Sequence, residues 1–477
     1  MTTSSGNDPV HAALDRGLRQ LAGLGGDLVE HANSIGTILW SPPRVVIVGR
    51  LKAGKSTLVN ALIGAPVAET AALEATNVVT VYSDGSPSRA EIVGIDGRRH
   101  RVAVAAHQPV DLPLPSSEIQ FVERWMPSAS LRQLTLIDTP GLSTLTTEND
   151  SATRRAVIDG FEQTRTASID ADAAVFLFDA APRTDEIEFL SQLPFTPLNM
   201  LGVLSRADSF GEGALGRRDP IPYAADHARV LAKQLSETVS DVVAISGLMA
   251  QTSHTGMLTE DLASALARLG SLSRLDVVRT FDNDDVRSEL SPQVRARLLG
   301  LLGEYGVLNG RQIAARGASE LNAWLMSLSG IGQLRGELTT SIARYAVLHR
   351  AHRILARLDQ LAFTHPARDH IRTLTMELRN KPELHLVTVL EDYQRMLRTD
   401  PNAAVTEELH TILRATSAAG RVGLPPSAPS HAVAAEAQRR LAMAHQRSLA
   451  TSSAAEDAAI VTLIRSYTPL TTPTATR

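Results

Sequence analysis

The sequence predicts an α/β P-loop domain, doubly wound on a mixed sheet, followed by an all-α half. Three observations carry this. A glycine-rich run, Gly49-Arg50-Leu51-Lys52-Ala53-Gly54-Lys55-Ser56-Thr57, lies between the apolar segment Val45-Val46-Ile47-Val48 and the helical stretch Leu58-Val59-Asn60-Ala61-Leu62-Ile63. Strand and helix patterns alternate from Val45 to Leu248, with a hairpin from Ala90 to Val104 around the Asp96-Gly97 turn. Beyond Leu258 the patterns are helical only. The chain has 477 residues, room for about three domains.

Ahead of the first strand, Leu14, Leu18, Leu21 and Leu28 fall at helical spacing between His11 and Asn33, predicting one helix with a single apolar stripe. Residues 1–40 are therefore expected to pack on another part of the chain, and Ser41-Pro42-Pro43 ends them. The glycine-rich run suits phosphate. Gly49 and Gly54 let the backbone fold closely, Ala53, Ser56 and Thr57 offer N–H groups at a helix N-terminus, and Lys55 supplies a cation. The Ser56 hydroxyl is a candidate Mg²⁺ ligand. Leu134-Thr135-Leu136-Ile137-Asp138-Thr139-Pro140-Gly141 reads as a second buried strand. On it Asp138 is placed to hold Mg²⁺ and the Gly141 amide to sense a γ-phosphate. Between them, Thr76 in Glu74-Ala75-Thr76-Asn77-Val78-Val79-Thr80 is the candidate switch threonine, for metal and water, with Thr80 as the alternative.

The base is read further on. Asn199-Met200-Leu201-Gly202-Val203-Leu204 runs into Ser205-Arg206-Ala207-Asp208, where Asp208 can accept both the N1–H and the N2 amino protons of guanine. Adenine offers no such pair, so the expected ligands are GTP and GDP with Mg²⁺. Arg206 is expected over the purine face, Ser205 replaces the usual Asn or Thr, and Ser246-Gly247 is expected to present N–H groups to guanine O6. This order of motifs predicts a GTPase domain over 41–270.

Composition narrows the rest. A formal charge of −4 argues against nucleic acid as partner, and the lack of cysteine excludes disulfides and thiolate metal sites. The polar start Met1 to Pro9 has no apolar core of a secretory signal, so a cytoplasmic location is expected. Residues 271–466 are read as helical, with breaks at Asn309-Gly310, Ser329-Gly330, His365-Pro366, Lys381-Pro382, Asp400-Pro401 and Gly423-Leu424-Pro425-Pro426, and 467–477 as a disordered tail. His349 and His352 are read as surface histidines rather than metal ligands. The acid-free stretch Arg344 to Leu358 is read as a solvated face, with attraction to anionic lipid as the alternative.

The run from Leu51 to Gly64, Ala75-Thr76-Asn77-Val78-Val79-Thr80, Ile137-Asp138-Thr139-Pro140-Gly141-Leu142 and Leu204-Ser205-Arg206-Ala207-Asp208 resemble the bacterial dynamin-like GTPases, most closely their isoniazid-inducible group. Ala244 to Ala250 and Leu328 to Arg335 look like segments of the same family. The resemblance implies an elongated helical-bundle neck and stalk after the GTPase domain. It also implies GTP-dependent dimerisation, work beside a second dynamin-like protein, and a peripheral place at the inner face of the plasma membrane. Eukaryotic dynamins carry a P-loop glutamine where this chain has Leu51, and Lys52 is the candidate for the cationic assistance to phosphoryl transfer. A membrane-contacting tip is expected near 360–385, with Phe363 as an apolar wedge beside Arg357, Arg368 and Arg372, or else as a cap on the bundle core. A nucleotide-switched scaffold acting through a protein partner is the alternative function.

Overall fold

The computed structural model describes residues 8–68, 78–104, 110, 112–142, 162–282 and 290–472, which form two compact units. One runs from Pro42 to Ala343. Its nine strands are β1 (Arg44–Gly49), β2 (Thr80–Asp84), β3 (Arg89–Gly94), β4 (Arg99–Val102), β5 (Ile119–Met126), β6 (Thr135–Asp138), β7 (Ala173–Phe178), β8 (Met200–Leu204) and β9 (Val242–Ala244). They lie in the order β4-β3-β5-β2-β6-β1-β7-β8-β9. From β6 to β9 all neighbours are parallel, while β2 runs antiparallel to β6 and the β3–β4 hairpin extends the sheet beyond β5. The sheet is therefore mixed, as expected, and β5 is a strand that the sequence reading lacks.

Both faces of the central strands are covered, so these strands carry consecutive apolar residues instead of alternating ones. Val45 and Ile47 point into a core with Leu58 and Leu62 of helix α3 (Lys55–Ile63); Val46 and Val48 point into the opposite core with Phe176, Leu190 and Leu231. A third cluster joins Met249, Leu266, Leu298, Leu302 and Leu325 from the later helices of the same unit. Two of those helices matter below: α4 (Gly247–Thr255) and α5 (Pro292–Ala314), the latter interrupted at Gly303. The expected break at Asn309-Gly310 is absent, and α5 runs through it. Helix α6 (Ile331–Thr339) lies against the P-loop helix, where Arg335 donates to the carbonyls of Ala61 and Leu62 at 3.0 and 3.1 Å. A guanidinium on the last turn of α3 satisfies carbonyls that have no partner within the helix and suits the negative end of its dipole.

The other unit joins the chain before Pro42 to that from Arg344 onward. The single N-terminal helix expected from the leucine stripe is two: α1 (Pro9–Gly23) and α2 (Leu28–Trp40), separated where Gly25 and Gly26 take φ of 77° and 63°. Leu14, Leu18 and Leu21 are buried, and α1 packs on a later helix, α8 (Arg368–Asn380), so closely that a Cβ on Gly17 would come within 2.8 Å of Leu378. Helix α7 (Ser341–Thr364) carries the basic stretch, of which Arg357 is exposed but Arg344 and Arg350 are not. Arg350 is buried and donates to the Leu39 carbonyl at the end of α2; Arg344 donates to the carbonyls of Leu413, Arg414 and Ala415 at another helix end. These two arginines cap helices instead of meeting lipid. His349 is also no surface residue: burial pushes its pKa down to about 3. His352 bonds Glu391 at 3.0 Å. Among the described residues no helix is long and apolar enough to cross a membrane.

Candidate functional site

Strand β1 ends at Gly49 and its parallel neighbour β6 ends at Asp138, with Ile47 and Asp138 in register. Loops leaving the carboxyl ends of adjacent parallel strands meet there, the place where open α/β sheets hold ligands. Gly54 at φ 100° and Lys52 at φ 64° turn the chain into α3. Ala53, Gly54, Lys55, Ser56 and Thr57 then border a cavity of about 640 Å³, with Asp138, Gly141, Ser205, Arg206, Asp208 and Gly247 on its other sides. That volume is within the usual range for a small-molecule site.

The phosphate end is electrostatically loaded. Lys55 is buried, and its Nζ donates to the carbonyls of Gly49 and Arg50 at 3.1 and 3.0 Å. Burial pushes its pKa down to about 8, against the opposing pull of Asp138. Burial likewise pushes the Asp138 carboxyl up to about 6, although Lys55 and the Ser56 hydroxyl favour its charge. Ser56 Oγ lies 3.5 Å from Asp138 Oδ2, and Asp138 Oδ1 is a buried oxygen with no hydrogen-bond partner. Two hard oxygen donors side by side, one of them unsatisfied, fit Mg²⁺. Gly141 is held against the P-loop: a Cβ there would come within 2.6 Å of Leu51 Cα, while Leu51 N–H donates to Leu142 O and Leu142 N–H to Gly49 O. The candidate Thr76 lies outside the described residues. Thr80 borders the cavity from the start of β2, paired with Asp138.

The base end is built from β7, β8 and β9. Ser205 N–H donates to Phe178 O and Ala207 N–H to Ile245 O, which fixes the turn after β8. Arg206, at φ 56°, sends its guanidinium to the Lys52 carbonyl at 2.8 Å and so ties the base loop to the P-loop. The buried Ser205 hydroxyl has no partner. Ser246 caps α4 through its side chain, and its own N–H donates to Ser329 O at 3.0 Å, leaving Gly247 N–H at the first turn for a ligand. Sequence reasoning missed three neighbours: Arg50, ion-paired at 2.9 Å with buried Glu186; Leu248, on the cavity wall; and Gly303, beside Asp208. Only Gly303 had a local signal, a glycine inside a helical pattern.

Residues 44–201 match the family model described as 50S ribosome-binding GTPase, so the chain carries a GTPase domain. Isoniazid-induced protein IniC of Mycobacterium tuberculosis is 30% identical over 88% of this chain and 89% of its own length. Isoniazid-induced protein IniA of the same organism is 28% identical over 79% of this chain and 55% of its own. Among solved structures, a chain of an oligomerised bacterial dynamin pair aligns over 97% of this chain and 73% of that one, at 13% identity and a TM-score of 0.33.

Proposed function

The chain belongs to the family of the isoniazid-induced protein IniC and carries a GTPase domain, and from that premise we propose that it is a dynamin-like GTPase that couples GTP-dependent dimerisation and assembly to peripheral binding and remodelling of a membrane. In this reading Lys55 leaves the P-loop carbonyls for the β- and γ-phosphate oxygens, the amides from Ala53 to Thr57 cradle them, and Gly141 N–H meets the γ-phosphate. Asp208 reads guanine. Ser56 and Asp138, with Thr76, would hold Mg²⁺, which when bound neutralises charge on the phosphates. Lys52, exposed on the loop, stands where a cation assists transfer between the β- and γ-phosphates. A second dynamin-like protein is the proposed partner, and the inner face of the plasma membrane the proposed location.

The nucleotide assignment has a pH signature. In the free protein a proton competes with Mg²⁺ for Asp138 below about 6, and Lys55 loses its charge above about 8 and must regain a proton to bind phosphate. GDP affinity measured calorimetrically with Mg²⁺ is expected to be highest between those values and to fall on both sides. Chelating the metal should remove the acid limb and keep the alkaline one. An acid limb as large in EDTA as in Mg²⁺, after allowance for protonation of the GDP β-phosphate itself, would mean that Asp138 is not a metal ligand.

One observation supports the membrane reading above others. Near the turn between α7 and α8 Phe363 is 83% exposed, too much for a core cap, and among the described residues Arg368 and Arg372, in the first turns of α8, pair only with Asp369, at 4.0 and 3.8 Å across a solvated surface. Such exposed pairs hold weakly and leave the arginines able to meet lipid phosphate. The link between α1 and α2, with exposed Leu24, is tied to the same turn by Asp27 and His365 at 3.0 Å. Phe363→Asp is expected to cut flotation with phosphatidylglycerol-containing vesicles by about 10-fold, from the lost burial of one aromatic side chain. Its vesicle-free GTP turnover and thermal midpoint should stay at wild-type values. A variant that floats as fully as wild type would overturn the assignment and favour a scaffold that acts through a protein partner.

A further inference from the structure

Helix α5 is regular on both sides of Gly303 but not at it, where φ is 63° and ψ 179°. That conformation is open in practice to glycine alone. The interruption is built in and not frayed. Thr252 Oγ1 of α4 donates to the carbonyl of Leu301, two residues before the break, at 2.5 Å in a buried position. Leu302 is buried in the helical core on one side of the break, and on the other Tyr305 donates its hydroxyl to Asp219 at 3.2 Å.

What the break approaches is the base end of the cavity. A Cβ placed on Gly303 would lie 3.3 Å from Leu248 Cδ2 and 3.4 Å from Asp208 Oδ2, and both residues border the cavity. Helix α5 also packs against residues 207–209 and against α4, the two segments assigned to guanine. The carboxylate of Asp208 accepts no hydrogen bond among the described residues. Gly303 is one of its van der Waals neighbours.

We propose that Gly303 is a specificity-determining positioning residue: the break that glycine alone adopts here seats α5 against residues 207–209 so that the Asp208 carboxylate accepts both guanine protons at once. The proposal rests on Asp208 reading the base. Two parallel hydrogen bonds are directional, and a shift of a few tenths of an ångström in the carboxylate strains the pair more than it strains one bond. An alanine methyl would lie in ordinary contact with Oδ2 at 3.4 Å, but alanine is strained at φ 63° and ψ 179°, and relieving that strain moves α5 against residues 207–209. The bond to N2 distinguishes guanine from hypoxanthine, which lacks the amino group.

The test is competition of GDP and IDP against N-methylanthraniloyl-GDP on the full chain. The ratio of the two affinities does not depend on how much of a preparation is folded. Wild type is expected to prefer GDP over IDP by about 10-fold, the worth of one charge-assisted bond. Gly303→Ala should bring the ratio to about 2 or below. Thr252→Val, which frees the Leu301 carbonyl without straining φ, should lower it to an intermediate value, and it decides the matter if Gly303→Ala gives no folded protein. A wild type that does not separate GDP from IDP or ADP would refute the Asp208 reading itself. A discriminating wild type, with the ratio unchanged in every variant that folds, would refute the role of Gly303 and leave Asp208 standing.

Discussion

Asp208→Asn is expected to exchange guanine for xanthine as the preferred base. Asparagine keeps one acceptor, for N1–H, and turns the second acceptor into a donor that faces the N2 amino group. Xanthine carries a carbonyl there and accepts that donor. GTP affinity should fall by about 100-fold, the loss of a charge-assisted pair plus the cost of two donors facing each other, while XTP gains by a similar factor. The loop itself should hold, because its fixing bonds are backbone ones, from Ser205 N–H to Phe178 O and from Ala207 N–H to Ile245 O. Turnover of GTP, XTP and ATP by wild type and variant measures the exchange. A wild type that hydrolyses ATP as fast as GTP would remove the basis for assigning residues 205–208 to the base.

Lys55→Ala is expected to cost about 100- to 1,000-fold in GTP turnover, the usual loss when one preorganised charge facing the phosphates is removed. Stability should move the other way. A lysine pKa depressed from its ordinary value to about 8 means that the buried ammonium costs the folded protein about 3 kcal/mol at neutral pH. The sign follows from linkage. A folded-state pKa below the unfolded one contributes stability above the ordinary lysine range that is lost as pH falls through 8, so at pH 7 the penalty is fully present. Alanine removes it, along with the hydrogen bonds to Gly49 and Arg50 carbonyls. The nucleotide-free variant should therefore unfold at or above the wild-type temperature. A variant that loses both turnover and thermal stability would point to a collapsed P-loop instead of a missing cation.

That the P-loop, Asp138, Gly141 and Asp208 border one cavity was legible because each lies in a contiguous motif next to an apolar strand, and strand ends in a parallel sheet converge whatever the rest of the chain does. The division of the helical half was less legible. Asn309-Gly310 is a stronger local break signal than a lone Gly303, yet α5 continues through the former and stops at the latter, because Thr252 and the side of Asp208 reward the break there. Gly25-Gly26 was passed over for the opposite reason, since the leucine stripe on both sides stays in phase across the turn.

By itself the sequence determined the mixed-sheet nucleotide domain, its order of motifs and the helical character of the remainder, all properties that local pattern dictates. Only the tertiary structure decided what polar groups do at long range. Arg350 and Arg344 read as part of a solvated face until helix ends about three hundred and about seventy residues away in the chain brought carbonyls to them. Ser246 N–H, expected to face a ligand, donates to Ser329 O, and Arg206, expected over a purine face, also donates to the Lys52 carbonyl. A hydrogen-bonding group takes the acceptor that burial brings to it, and burial is a property of the folded chain, not of its neighbours in sequence.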